Sequence, residues 1–258
     1  VLNAGLHQTQ GLFTNLTRTT ALDSGGRFRD VLDRAWLQVS TGGFDANTAI
    51  RSAIKELTRQ GLTTVDYSSG RTMSVEAAVR MNVVTGVNQT ALQLQETMAD
   101  EMDSDLVETT AHSGARPSHA KWQGKVFSRS GKSKKYPDFR RATGYGTGPG
   151  LGGWNCRHSF HPYFEGMART YGAGELKKLE EKSITYNGEK LTEYEASQRQ
   201  RYMERQIRRW KREQQAMKAA GQPQEEAKAK LKEWRALQSD FVEQTGLKRQ
   251  YDRERVGG

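Results

Sequence analysis

The sequence predicts a predominantly helical α+β fold, and two observations carry this prediction. Long stretches towards both ends repeat apolar residues every three or four positions, the spacing of amphipathic helices. The centre instead combines short β-branched runs with glycine-rich loops, a pattern typical of small sheets. We therefore expect an N-terminal helical bundle over residues 1–105, a small loop-rich α+β module over 106–192, and a basic helical hairpin and tail over 193–258.

The composition favours helices with wide solvated faces, because only 34% of the 258 residues are hydrophobic while 27% are charged. No apolar run approaches the roughly 20 residues of a membrane span, and no secretory leader opens the chain, so we expect a soluble protein without a membrane partner. The single cysteine forms no internal disulfide and fits a reducing compartment. Because the first residue is Val1, we expect a longer polypeptide.

The front third contains three predicted helical stretches before its longest helix. Residues 2–18 form the first, and residues 23–26, Asp-Ser-Gly-Gly, are expected to break the chain. Apolar spacing then predicts a second helix over 28–40, and Asp45 is a good N-cap for a third over 46–60. These helices should pack together as a bundle.

The longest helix of the front third should follow Ser74, a good N-cap. Its predicted buried stripe is Val75, Val79, Val83, Val87, Ala91, Leu94, Met98 and Met102. Four uncharged polar residues interrupt its other side: Asn82, Asn88, Gln89 and Gln93. We expect a solvated face there, with packing against another subunit as the alternative.

The centre should contain two strands, over 106–111 and 125–128. The glycine-rich loop over 144–153 lacks the Lys-Ser/Thr of a phosphate loop and the frame of a dinucleotide fingerprint. We expect its backbone to pass close to a partner or to residues 154–161.

The last third begins with a short helix predicted over 174–182. Asn187-Gly188 then indicates a type I′ hairpin. Two helices, over 193–220 and 225–244, should form an antiparallel pair joined by Gly-Gln-Pro, and residues 248–255 a charged terminus.

The residue types that carry chemistry collect in residues 112–166, which hold four of the five histidines and the only cysteine. His112, His119, Cys156 and His158 could bind a structural zinc ion, although their spacing is not that of a familiar zinc finger. Alternatively, hydrogen bonds from these groups lock a loop-rich fold. A third reading is cleavage of nucleic acid, in which His112 and His119 move protons and Arg116 holds a phosphate.

The positive charge is concentrated in the centre and the tail. Residues 1–111 carry 9 Lys/Arg against 13 Asp/Glu, residues 112–141 carry 9 against 1, and residues 166–258 carry 21 against 15. Such clustering indicates a polyanion partner, with a merely solubilising surface as the alternative for the tail. The candidate nucleic-acid contacts are Lys132, Lys134, Lys135, Arg140 and Arg141.

Three segments carry a family resemblance: His112-Ser-Gly-Ala-Arg-Pro-Ser-His-Ala-Lys-Trp-Gln-Gly124, Gly150-Leu-Gly-Gly-Trp-Asn-Cys-Arg-His158 with His161-Pro162, and the run from Tyr194-Glu195-Ala196 to Arg201. Together they resemble the phage minor capsid protein 2 family, which is similar in layout to the Mu F-type minor head proteins. The Mu F-type pattern ends Cys-Arg-Cys, whereas this chain has Cys156-Arg157-His158.

The resemblance implies a structural rather than enzymatic protein of the virion head, present in the host cytoplasm during assembly. It implies a place beside the portal or other head proteins within a multi-subunit assembly, with a role in head assembly, DNA packaging or ejection. Double-stranded DNA would be contacted without sequence specificity. The alternative is a phage-borne nuclease or toxin-like enzyme that uses His112, Arg116 and His119.

Overall fold

A computed structural model describes residues 22–67 and 69–256. Within these residues the chain forms two compact units, the first made of residues 22–111 and 121–171 and the second of 112–120 and 172–256. The helix expected over residues 2–18 lies outside the described residues. The division into domains over 1–105, 106–192 and 193–258 stays a prediction.

The first unit begins with a helical bundle. Its elements are α1 (Leu22–Ser40), α2 (Ala46–Arg59), the antiparallel pair β1 (Thr64–Asp66) and β2 (Thr72–Ser74), and α3 (Val75–Glu101). The three helices share one core, in which Phe28, Leu32, Ile50, Leu57 and Val79 are at most 2% exposed. The predominantly helical α+β class predicted from the sequence is confirmed.

The predicted caps of α2 and α3 are confirmed. The side chain of Asp45 accepts hydrogen bonds from the backbone N–H groups of Asn47 and Thr48, at 2.9 and 3.1 Å, and Ser74 Oγ accepts from Ala77 N–H. The expected break at residues 23–26 is wrong, because α1 already begins at Leu22. Each glycine costs a helix about 1 kcal/mol, and burial of Phe28, Leu32 and neighbouring side chains outweighs that cost.

Helix α3 buries two different faces along its length. Its first half follows the predicted stripe, with Val75, Val79 and Val83 buried. In its second half Leu92 and Ala99 are buried, whereas the predicted Leu94, Met98 and Met102 are 44–49% exposed. The prediction of one continuous stripe is therefore wrong, because the two halves pack against different partners within the first unit.

The rest of the first unit is a three-stranded antiparallel sheet with loops around it. Strand β3 (Leu106–Thr109) lies between β4 (Val126–Ser128) and β5 (Phe160–Tyr163), and Leu106 pairs with both Ser128 and Tyr163. The two predicted strands are confirmed with shorter ends. The third was missed, because Phe-His-Pro-Tyr contains a proline, which is confined to sheet edges. A core of Leu92, Val107, Trp122, Phe127, Phe139, Leu151 and Phe160 covers the sheet.

The second unit holds the predicted helical hairpin. Its elements are α4 (Pro117–Ala120), α6 (Ala173–Leu179), β6 (Ile184–Tyr186), β7 (Glu189–Leu191), α7 (Glu193–Ala219), α8 (Glu225–Thr245) and a 3₁₀ turn (Tyr251–Arg253); α5 (Phe139–Thr143) belongs to the first unit. Asn187 and Gly188 have φ values of +48° and +80°, as the predicted β-hairpin requires. Thr192 caps α7 in a reciprocal pair with Glu195.

The helical hairpin buries an apolar seam. Ile207 and Trp210 of α7 and Leu231 and Phe241 of α8 are buried. The charged terminus is held against the hairpin rather than free. Backbone carbonyls of this terminus accept hydrogen bonds from Gln200 Nε2, at Lys248 O (2.9 Å), and from Lys211 Nζ, at Glu254 O (2.7 Å).

Candidate functional site

Helix α3 braces the loop that carries the cysteine. Asn88 Nδ2 donates to the carbonyls of Cys156 and His158, at 3.1 and 3.3 Å. Gln89 Nε2 donates to Gly152 O at 3.1 Å, and Asn155 N–H donates to Thr85 Oγ1 at 3.1 Å. The polar side of this helix was expected to be solvated, and over Asn88 and Gln89 that expectation is wrong, because these amides bind loop carbonyls within the same unit.

Cys156 and His158 lie together in this braced loop. Cys156 Sγ is 3.7 Å from His158 Nδ1, and both side chains are at most 2% exposed. The other ring nitrogen, His158 Nε2, is 3.1 Å from Gln123 Oε1. An amide oxygen only accepts, so Nε2 carries the proton and Nδ1 directs its lone pair towards the sulfur. Trp122 packs edge-on against the imidazole, with ring centroids 4.7 Å apart.

This pair has the chemistry of two zinc ligands. A soft thiolate and a neutral imidazole are ligands that zinc prefers, and a metal-bound histidine commonly donates its second N–H to a carbonyl or carboxylate oxygen, as His158 does to Gln123. Without a metal, the same atoms form a buried hydrogen-bonded pair. The sequence identified Cys156 and His158 but missed Gln123, for which spacing offered no signal.

The other two candidate ligands lie in the second unit. His112 Nδ1 is 2.8 Å from the carbonyl of Ser113. His119 lies in the single turn of α4, where it is 2% exposed and its backbone N–H donates to Arg116 O at 2.8 Å. Gly114 has a φ of +69°, and its Cα faces the side chain of Glu193 at the start of α7. The segment is therefore a folded turn.

The basic loop after β4 has a rigid base. Asp105 accepts hydrogen bonds from Ser128 Oγ and Ser130 N–H, both at 2.7 Å. Burial alone would raise the pKa of Asp105, but these hydrogen bonds outweigh burial and hold the pKa below its usual value. Gly131 N–H also donates to Ser128 Oγ at 3.1 Å. The loop therefore leaves the sheet in a defined direction.

The five candidate nucleic-acid contacts are all exposed, but they differ in their partners. Lys135 forms an ion pair with Glu165. Arg140 pairs with Glu96 at 3.1 Å and lies over the ring of Tyr145. Within residues 22–67 and 69–256, no ion pair is formed by Lys132, Lys134 or Arg141. These three cations differ in this respect from Lys135 and Arg140.

A buried carboxylate that the sequence analysis missed lies in β3. Glu108 Oε1 pairs with Arg169 Nε at 2.9 Å, and Oε2 accepts from Thr170 N–H at 3.0 Å, with His161 Nε2 at 3.5 Å. Burial would raise the pKa of Glu108, but the hydrogen bonds from Thr170 and Arg169 hold it below its usual value. The sequence held one signal for this site, since Glu108 is a charged residue within a run of β-branched and apolar residues.

The glycine-rich loop packs against itself and against Trp154. A Cβ atom on Gly150 would overlap the backbone of Gly144, and one on Gly153 would overlap the carbonyl of Gly148. Gly148 lies directly against the indole of Trp154. The prediction that this backbone passes close to residues 154–161 is confirmed, and the glycines serve close packing within the loop.

In the part of the chain that the structure describes, no helix is long and apolar enough to cross a membrane.

Comparisons with known proteins match nearly the whole chain. The family described as phage minor capsid protein 2 matches residues 1–243. A structural protein of Lactococcus phage LL-H is 30% identical over 94% of this chain, and the chain spans 64% of that protein's length. A structural protein of Lactococcus phage mv4 is 35% identical over 44% of this chain and 86% of that protein. No solved structure matches the chain significantly.

Proposed function

The chain belongs to the phage minor capsid protein 2 family, and from this membership we propose that it is a structural component of the virion head. It lies beside the portal or another head protein, and it contacts packaged double-stranded DNA without reading its sequence. Its role is in head assembly and in DNA packaging or ejection, after a period in the host cytoplasm. The description of both relatives as structural proteins supports the proposal.

The family match over residues 1–243 carries the proposed place in the head. The test separates purified virions into heads and tails and probes each fraction with an antibody against this chain. We expect the chain in the head fraction, retained after tails are removed. Its presence only in tails, or only in lysate and not in virions, would contradict the proposal.

Three exposed cations without ion pairs support the proposed contact with DNA: Lys132, Lys134 and Arg141. They lie on or next to a loop whose base is fixed by Asp105. A loop with a fixed base loses less conformational entropy when it meets phosphates than an unanchored loop would, and phosphate contacts carry no base specificity. The same contacts should weaken steeply as salt rises, because binding releases condensed counterions.

A titration of the full chain with duplex DNA tests this contact. The variant Lys132→Gln/Lys134→Gln/Arg141→Gln should lower the slope of log affinity against log salt by about 2 to 3, because each phosphate that a cation neutralises adds about 0.9 to the slope. The matched control removes three exposed lysines elsewhere: Lys177→Gln, Lys178→Gln and Lys190→Gln. Equal slopes for wild type and the loop variant would refute the loop as the DNA contact.

A structural zinc ion is a second proposal. Cys156 and His158 supply two ligands whose donor atoms already face each other, and zinc in structural sites takes four. His112 and His119 are the remaining ligands that the sequence nominates. Zinc would act on stability alone, because no open ligand position is needed for a structural site.

Elemental mass spectrometry with a thermal melt before and after chelation tests the zinc proposal. We expect about one zinc per chain and a large fall in Tm when the metal is removed. His158→Gln should lose the metal, whereas His161→Gln, at a partly exposed histidine beside Glu108, should keep it. A metal-free protein with an unchanged melt would leave the buried hydrogen-bonded pair as the correct description.

The enzymatic alternative, a nuclease or toxin-like enzyme, uses His112, Arg116 and His119. We propose that the chain is not such an enzyme, because His119 is 2% exposed and a general base must reach its substrate. A nuclease assay on the wild type and on His119→Ala distinguishes the two possibilities. DNA cleavage that disappears in a variant with unchanged Tm would establish the enzyme instead.

A further inference from the structure

The second unit contains a cationic groove that neither the sequence analysis nor the family match identified. It lies between α7 and α8, has a volume of about 480 Å³, and is lined by Lys211, Gln214, Gln215, Lys228, Leu231, Lys232 and Arg235. Four of these seven residues are cations, and none is a carboxylate. An opening lined in this way repels cations and attracts anions.

The cations of α8 form a regular row. Lys228, Lys232 and Arg235 are spaced four and three residues apart, so they share one face of the helix and span about 10 Å along its axis. All three are exposed. Among the described residues no carboxylate forms an ion pair with any of them. Within that part of the chain their charges are therefore not neutralised by an ion pair.

Lys211 on the opposite helix is fixed in place. Its Nζ donates to the backbone carbonyl of Glu254 at 2.7 Å, and the side chain is half-buried. Burial lowers the pKa of Lys211, and repulsion from Arg235 lowers it further. The Glu254 carboxylate opposes both effects, and an anion bound in the groove would counter the repulsion from Arg235.

From these observations we propose that the groove between α7 and α8 binds consecutive phosphates of a DNA backbone. Lys228, Lys232 and Arg235 would contact the phosphates from one side, and Lys211, Gln214 and Gln215 would donate from the other. Lysine, arginine and glutamine are donors that commonly contact DNA phosphates.

A phosphate backbone fits the groove better than an acidic protein segment does. Leu231 is the one apolar side chain in the lining, and it is 5% exposed, so the groove offers no pocket for an apolar anchor. Peptides are ordinarily recognised through such anchors, through a free sheet edge or, for acidic motifs, through a cluster of arginines, whereas this groove holds three lysines and one arginine. The inference rests on the proposed function only for the choice of DNA as the polyanion.

The test compares three variants of the full chain. The groove variant is Lys228→Gln/Lys232→Gln/Arg235→Gln, the second is the loop variant Lys132→Gln/Lys134→Gln/Arg141→Gln, and the control is Lys177→Gln/Lys178→Gln/Lys190→Gln. Each is titrated with a duplex of about three helical turns at several salt concentrations and with polyglutamate, and each melt is recorded. Lys228→Glu alone provides a milder second groove variant.

We expect the groove variant to weaken duplex binding at least tenfold at about 0.1 M salt and to lower the salt slope by about 2 to 3. Lys228→Glu should act in the same direction, and the control should match wild type. Unchanged slopes in both groove variants, with a reduced slope in the loop variant, would overturn the groove and leave the proposed function standing. Binding of polyglutamate that disappears in the groove variant while duplex binding is retained would overturn the groove as a DNA site.

Discussion

The loop-rich segment over residues 144–158 and the helical hairpin of α7 and α8 are held together by different means. The hairpin buries one apolar seam and leaves its charges in solvent, so many small contributions add up. The segment has few apolar residues, and single contacts fix it: glycines packed against backbone, and amides of α3 bound to its carbonyls. Single substitutions should therefore matter more in the segment than on the hairpin surface.

Of the four substitutions proposed to test this comparison, Gly150→Ala should lower the free energy of unfolding most. The new Cβ would overlap the backbone of Gly144, and because neither the Cβ nor the backbone moves when a side chain changes rotamer, no rotamer change can relieve the clash. We expect a loss of about 4 kcal/mol in the free energy of unfolding. Gly174→Ala in α6 is the control, because its Cβ would meet no atom within 4 Å, and it should be neutral or slightly stabilising. Chemical denaturation measures both, and equal effects would break the comparison.

Leu92→Ala should have the second largest effect, a loss of about 3 kcal/mol in the free energy of unfolding. Leu92 is 1% exposed and belongs to the same core as Leu151 of the segment. Leu94→Ala is the matched control, because Leu94 is 47% exposed and should cost less than about 1 kcal/mol. A larger effect at Leu94 would restore the single stripe that the sequence predicted for α3.

Glu108→Gln should destabilise the sheet by about 2 kcal/mol at neutral pH, because Arg169 loses its charged partner. Since the folded pKa of Glu108 lies below its unfolded value near 4.5, the stability it contributes is present above that value and is lost as pH falls through the folded pKa. Melts of both proteins between about pH 7 and about pH 3 should converge at the acidic end. If the melting temperatures of the two proteins differ by the same amount at every pH, Glu108 does not titrate in this way.

Asn88→Ala should have the smallest effect of the four, about 1 kcal/mol, through loss of its hydrogen bonds to the carbonyls of Cys156 and His158. Thr97→Ala is the control, because among the described residues the Thr97 hydroxyl donates to Gln93 O of its own helix and to no atom of the segment. The difference between the two melts measures how strongly α3 braces the segment. No difference would mean that the brace contributes nothing to stability.

Elements governed by local chemistry were predictable from the sequence. Asp45 and Ser74 cap helices as expected, and Asn187-Gly188 forms its turn, because these signals act within a few residues. The course of α3 was not predictable, since Leu92 and Leu94 are equally apolar and only the position of the sheet decides which is buried.

The residues of the candidate site likewise include some that the sequence predicted and some that it did not. Residue types and spacing nominated Cys156 and His158, which lie together. Gln123 and Glu108 were missed, because their partners, His158 and Arg169, are 35 and 61 residues away in the chain. Pairing over such distances depends on the folded sheet and leaves no local pattern.

Cross-linking mass spectrometry on intact, DNA-filled virions tests the central claim most directly. A lysine-reactive cross-linker should join exposed lysines of this chain, among them Lys177 and Lys190, to the portal or another head protein. Lys132 and Lys228 should react poorly in filled heads and readily in emptied ones, because DNA covers them only in the former. Absence of this chain from virions, or equal reactivity of Lys132 and Lys228 in filled and empty heads, would contradict a DNA-contacting head protein.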